Sequence, residues 1–205
     1  MNHYYTDEIN TLVLVSLLKE HNIKKIIASP GTTNISFVGS VQFDPYFEVY
    51  SAVDERAAAF MACGLAEESG EPVVLTCTGA TASRNYIPGL TEAYYRHLPV
   101  LAVTSTQHTG RVGNYVAQVI DRSEQFPDMA KKSIQLPTVY SEEDKQHTIT
   151  AVNDALLELV HGNAGPVHIN LITTYSNGFN TKELPKYRTI RRVVDKDYPE
   201  LPNGN

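Results

Sequence analysis

Apolar positions change period several times along the chain, and the changes divide it into elements. Residues 6–21, TDEINTLVLVSLLKEH, set Ile9, Leu12, Val13 and Leu17 at helical spacing, with Thr6 as candidate N-cap and Asn22 as a left-handed stop. The β-branched run 23-IKKIIAS-29 reads as a strand ending in the turn signal Pro30-Gly31. A short helix fits 32–40. Alternation over 46-YFEVYSAV-53 predicts a strand that runs straight into Asp54-Glu55-Arg56 and a helix over 55–69. The apolar runs 72–78 and 99–105 read as strands buried on both faces, with a helix over 81–97 between them. Residues 106–133 keep no clean period and predict a long, functional loop with a short helix. Strand 134–140 leads into Ser141-Glu-Glu-Asp144, a capping-box start. The helix that follows carries Ile149, Val152, Leu156 and Leu159 on one face and stops at His161-Gly162, and 166-PVHINLI-172 is the last strand.

Six strands alternating with helices predict an α/β domain: a doubly wound, mainly parallel six-stranded sheet with helices on both faces. No internal repeat is visible. The domain is expected to span 1–175. Beyond Thr173 the periodicity is lost, and Pro185, Pro199 and Pro202 among Asn, Gly and Lys predict that 176–205 is a linker or tail towards a missing domain. Arg188, Arg191 and Arg192 read as a solvated part of that tail.

Composition narrows the classes. A chain of 205 residues buries roughly 70% of its unfolded surface, so it requires no disulfide or metal staple. The net charge of −6 argues against nucleic acid or an anionic membrane as partner. Cys63 and Cys77 lie in apolar contexts without metal-ligand spacing and read as small buried thiols in a reducing compartment. The N-terminus lacks an apolar signal core and no run approaches a membrane span, so a cytoplasmic protein is expected.

Ligands of open parallel sheets bind beyond the carboxyl ends of the strands. Four such ends are legible: Ser29–Thr33, Asp54-Glu55, Thr78–Thr81 and Thr104-Ser105. Glu55 is the one group among them suited to moving a proton near neutral pH. Two readings of it stand side by side. An acidic residue in a helix's first turn meets the positive end of the dipole and need do nothing else. Alternatively, a crevice walled by Val53 and Ala57 desolvates the carboxyl and makes it a proton donor. The turn 78-TGATASRN-85 lacks both GxGxxG and GK[ST]. Its small residues fit tight helix–sheet packing, close approach of a flat ligand or a neighbouring chain, or an anion at a helix N-terminus. No GxSxG elbow and no clear carboxylate pair occurs, and His97, His108 and His168 read as structural or surface histidines.

The segments "SPGTT", "DERAAAFMACGLAEESGEPVVLTCTGATASRNYIPGLTEAYYRHLPVLAVTS" and "GPVHINL" resemble the N-terminal pyrimidine-binding domain of thiamin-diphosphate enzymes. The likeness is to the group that holds acetolactate synthases, 2-oxoacid decarboxylases and 2-succinyl-5-enolpyruvyl-6-hydroxy-3-cyclohexene-1-carboxylate synthases, and it covers about residues 6–172. The resemblance implies that Glu55 donates a hydrogen bond to N1′ of the cofactor's aminopyrimidine. The imino tautomer is then favoured and the exocyclic nitrogen can take the thiazolium C2 proton, after which a 2-oxoacid is decarboxylated or its remnant joined to an acceptor. It further implies that Pro30, Gly31, Val53, Thr78, Asn85 and Gln118 line the pyrimidine half of the cofactor, and that Thr32, Thr33 and Gln118 face substrate. No metal is expected in this chain. Mg2+ and the diphosphate would be held by a diphosphate-binding domain, in a missing C-terminal part or a separate chain, and a homodimer or homotetramer is expected.

Three departures from the family pattern matter. The turn opens Thr-Gly-Ala where the family has Thr-Ser-Gly. Thr32-Thr33 stand where the synthases of this group have Ser-Arg, and Thr106-Gln107-His108 where they have Asp-Arg-Pro, so two arginines that would pair with a dicarboxylate are missing and a smaller or differently charged 2-oxoacid is expected. The Gly-Asp-Gly…Asn motif of the diphosphate domain is absent from this sequence. The rival expectations are one subunit of a split decarboxylase, a non-catalytic interaction or regulatory module that kept the fold, and a nucleotide-binding Rossmann-like domain.

Overall fold

The computed structural model describes residues 4–122, 125–176 and 178–190. Six strands, β1 (Lys25–Ala28), β2 (Glu48–Ser51), β3 (Val73–Thr78), β4 (Val100–Thr106), β5 (Lys132–Leu136) and β6 (Val167–Ile172), form one sheet in the order β2-β1-β3-β4-β6-β5. All five pairings are parallel, so the expected doubly wound α/β architecture is present. The register aligns Ala28 with Ser51 and Thr76, and Thr78 with Ser105, which brings the carboxyl ends of β1 to β4 to one edge.

Alternation along each strand feeds two cores. On one face α1 (Ile9–Glu20), α2 (Ile35–Val41) and α6 (Glu142–Val160) pack Leu14, Leu17, Phe37 and Leu156 against Ile26, Val74, Leu101 and Ile169. On the other, α3 (Glu55–Ser69) and α5 (Ile87–Tyr95) pack Ala58, Ala62 and Leu90 against Ile27, Leu75 and Ala102. The small residues behind Glu55 serve this second contact. A Cβ on Gly89 of α5 would come within 2.5 Å of the Ala59 Cβ, and the Cys63 thiol donates to the Gly89 carbonyl at 3.2 Å.

Several boundaries differ from those the sequence predicts. The segment 81–97 is two helices, α4 (Thr81–Arg84) and α5. Pro88 falls at the first positions of α5, where its missing N–H and its ring break the ladder. Helix α1 begins two residues after Asp7 with Glu8 as N-cap, while the Thr6 hydroxyl accepts the Glu8 N–H at 3.2 Å just before the helix starts. The segment predicted as a strand over 134–140 pairs over Lys132–Leu136. Asn22, by contrast, takes the left-handed conformation expected of it (φ 58°), and Ser141 and Asp144 form a reciprocal capping box.

The last described residues contact the domain. Over 178–190 the chain turns back on the domain. Thr181 bridges Tyr5, the Phe179 ring lies on Gly39 of α2, the Ser16 hydroxyl donates to the Pro185 carbonyl, and Asn153 of α6 donates to the Arg188 carbonyl at 3.1 Å. Leu184 and Tyr187 pack on the first core. Arg188 is exposed, and Arg191, Arg192, Pro199 and Pro202 lie outside the described residues. Among the described residues no helix is long and apolar enough to cross a membrane.

Candidate functional site

The chain leaves β1 for β2 on one side and returns to β3 on the other, so the strand order reverses between β1 and β3. A crevice opens at such a point, beyond the carboxyl ends. Two turns border it. The first, 29–34, is folded by Asn34, which is fully buried: its amide donates to the Ser29 carbonyl (3.2 Å) and the Thr76 hydroxyl (3.3 Å), and its Oδ1 accepts the Gly31 N–H at 2.8 Å. The second, Thr78-Gly79-Ala80, is pressed against the first. A Cβ on Gly31 would lie 2.3 Å from the Thr78 methyl carbon, and the Gly79 N–H donates to the Thr33 hydroxyl at 3.3 Å. Gly79 has backbone on its other side, because a Cβ there would meet the Ser105 and Gln118 carbonyl oxygens at 2.8 and 3.1 Å. Ala80 then takes φ 57°, ψ −131°, a conformation that costs an L-residue free energy.

Gly31 and Thr78 therefore meet where the two turns are pressed together, with Pro30 and Thr32 flanking Gly31 and the Gln118 carbonyl on the far side of Gly79. Thr33 belongs there in a different role. It is fully buried, its hydroxyl holds the Gly79 turn and its carbonyl accepts the Thr173 hydroxyl at 3.4 Å, so it ties the two turns together. Asn85 is exposed at the end of α4 with its amide on the Thr81 carbonyl, turned to its own helix. The Gln118 side chain is exposed and its backbone is left-handed (φ 62°).

Glu55 is the first residue of α3, set by the Asp54 N-cap, whose carboxylate accepts the Ala57 N–H at 2.6 Å. Its charge reaches the crevice: it helps to hold up the protons of Cys77 and Tyr86, although burial is the larger cause for both, pushing the Cys77 thiol to about 12 and Tyr86 well above the phenolic range. The walls expected to desolvate Glu55 are not closed around it. Val53 is 93% exposed, Ala57 is exposed, and Glu55 itself is only half-buried. The physical reason is position. β2 pairs only with β1, at the rim of the sheet, so the β2–α3 turn has no neighbour beyond it. The outward side of α3 continues this open rim with Ala57, Phe60 (45% exposed), Met61 (47%) and Gly64.

His168 is a structural histidine, as expected. It is buried on β6 with Nε2 on the Thr104 hydroxyl and Nδ1 on the Ser133 hydroxyl, both at 2.8 Å. Two residues near the crevice escape the sequence reading. Asn34 follows a Pro-Gly turn by three residues and could have been read as a side chain folding that turn. Arg122, buried behind Gly79, sits in an aperiodic segment that offers no such signal.

A family profile described as "Thiamine pyrophosphate enzyme, N-terminal TPP binding domain" matches residues 11–125. Among curated proteins, the chain is 37% identical over 203 residues to the 2-succinyl-5-enolpyruvyl-6-hydroxy-3-cyclohexene-1-carboxylate synthase of Bacteroides thetaiotaomicron, covering 96% of this chain and 37% of that protein. It is 36% identical to the enzyme of the same name from Phocaeicola vulgatus, covering 96% and 36%. The Haloarcula marismortui enzyme of that name is 32% identical over 166 residues, covering 79% and 28%. The chain thus spans little more than a third of the first two relatives' length.

Proposed function

The chain belongs to the thiamine pyrophosphate enzymes and corresponds to their N-terminal cofactor-binding domain, and from that premise we propose that Glu55 is the acid that activates the aminopyrimidine. Thiamin diphosphate, when bound, would supply a carbon that can be deprotonated to a nucleophile and a ring that acts as an electron sink for 2-oxoacid chemistry. The residues present fit the flat pyrimidine half. Gly31 and Gly79 let the two turns close on their neighbours, Thr78 packs directly on Gly31, and the half-exposed Glu55 opens α3 at the end of the next strand, β2. The observation that carries the reading is this pairing of a backbone-lined crevice with one carboxyl group at its edge.

Each residue has a defined task. Asp54 fixes the first turn of α3 and so the direction of Glu55. Glu55 holds a proton towards a ring nitrogen. Asn34 and Thr33 lock the two turns together, so that Gly31 and Thr78 keep a constant spacing. The open rim, with Val53, Phe60 and Met61 exposed, supports assembly with a second surface that covers Glu55 and dries the site, as in a homodimer or homotetramer. The remaining length of the protein, or a separate chain, would hold the diphosphate and Mg2+. The relatives' name favours a carboligation that forms their succinyl-bearing product. With Thr32 and Thr33 in place of an arginine, and Thr33 buried, recognition of a second carboxylate falls to other groups.

The test joins this chain to its diphosphate-binding remainder and follows exchange of the thiazolium C2 proton by NMR. Glu55→Gln is expected to slow exchange by about 100-fold or more, with cofactor affinity changed far less. Exchange at the unaltered rate would refute the role.

A further inference from the structure

Beyond the carboxyl ends of β4 and β6 lies a second cavity, of about 330 Å³, on the polar half of the sheet. The face of β4, β6 and β5 that α3 and α5 leave uncovered carries Thr104, His168, Asn170, Ser133 and Gln135, joined by hydrogen bonds. Residues 106–122 roof it, and Val112, Val119, Ile120 and Ile134 supply aliphatic walls.

Arg122 lines this cavity and is 7% exposed. Its Nη1 donates to Asn170 Oδ1 at 2.6 Å, while Nε and Nη2 have no partner. No described carboxylate pairs with it. Nε and Nη2 form one edge of the guanidinium, the edge that accepts a carboxylate in a two-point fork. Burial lowers its pKa to about 10, so it remains cationic at neutral pH. Among the described residues, this buried cation beside a cavity of ligand size has no counter-ion. Asp121, the carboxylate among the lining residues, is exposed and disfavours a second negative charge.

We infer that this cavity binds a small monocarboxylate with an aliphatic body, its carboxylate held by the free edge of Arg122 and its body against Val119, Ile120 and Ile134. The cavity adjoins the crevice between β1 and β3, and the inference does not depend on the thiamin reading. Arg122 touches both regions, since its Nη2 would lie 2.6 Å from a Cβ on Gly79.

Titration calorimetry on the 205-residue chain with sodium hexanoate, hexanamide and inorganic phosphate tests this. Hexanoate is expected to bind saturably, and hexanamide and phosphate at least about 10-fold more weakly. Arg122→Gln should weaken hexanoate by about the same factor, and Arg122→Lys by less. Ser133→Leu, on the exposed edge strand, fills the cavity without touching the cation and should abolish binding. Equal affinity for hexanoate and hexanamide, no saturable heat with hexanoate, stronger binding of phosphate, or unchanged affinity in Ser133→Leu would each overturn the inference. If Arg122→Gln does not fold, the hexanamide and Ser133→Leu arms decide.

Discussion

Acid should destabilise this domain well above the range in which its carboxylates titrate, and His168 is the reason. Its ring is buried between Thr104 and Ser133, and burial, reinforced by the charges of Arg122 and Arg84, lowers its pKa from 6.5 to about 3. The unfolded chain therefore binds a proton that the folded chain refuses. Stability from this source is complete above about pH 6.5 and is lost as pH falls towards 3. The slope approaches about 1.4 kcal/mol per pH unit, so lowering pH from 7 to 5 removes about 2 kcal/mol. That is a large fraction of an ordinary domain's stability. Urea unfolding followed by circular dichroism at pH 7, 6 and 5, on the parent chain and on His168→Gln, isolates the effect. The variant loses hydrogen bonds at every pH, which is a constant offset. Only the slope carries the argument, and it should be flatter in the variant by about 1 kcal/mol per unit between pH 6 and 5. Asp44 and Asp144, both held below the usual carboxylate range, titrate lower and are common to both proteins. Parallel stability curves would refute the reasoning.

Two glycines on the α3–α5 side should respond in opposite directions. Gly89→Ala forces a Cβ to 2.5 Å from the Ala59 Cβ and 2.9 Å from its carbonyl carbon, and should cost about 1–3 kcal/mol. Gly64→Ala meets nothing within 4 Å and should stabilise the isolated chain by about 0.5–1 kcal/mol. Thermal unfolding reads both, and a Gly89→Ala protein as stable as the parent would mean that the two helices do not meet as described. Ala80→Gly relieves the positive φ at the turn after β3 and should raise stability by up to about 1 kcal/mol, whereas Ala80→Val should lower it. A stabilised Val variant would show that the turn is not left-handed.

The sheet and its helices were legible because strand runs such as 72–78 and the capping box at Ser141 state their structure locally. Where the reading failed, distant contacts decided. The Pro88 break was visible in principle, but an apolar spacing continued across it. Residues 178–190 have no period because they form no helix or strand of the sheet, and their partners lie more than 130 positions earlier or about 35 positions earlier. Around the candidate site, the turn signals at Pro30-Gly31 and Thr78-Gly79 mark two turns that the structure packs against each other. The desolvation expected for Glu55 was not legible, because it depends on β2 being an edge strand, and strand order is not written in any one segment. The burial of Thr33 was hidden for the same reason: its partner is a backbone N–H 46 residues on.

The returning strap has a consequence for how the molecule comes into being. Helix α1 is made before the other helices of this domain, yet the groups beside its outer side, Leu184 and Pro185, are synthesised some 170 residues later. At ordinary elongation rates, on the order of 5–20 residues per second, that interval lasts roughly ten seconds or more. Throughout it the nascent chain carries an unclosed flank, and α1 is among the last pieces of this domain to be sealed.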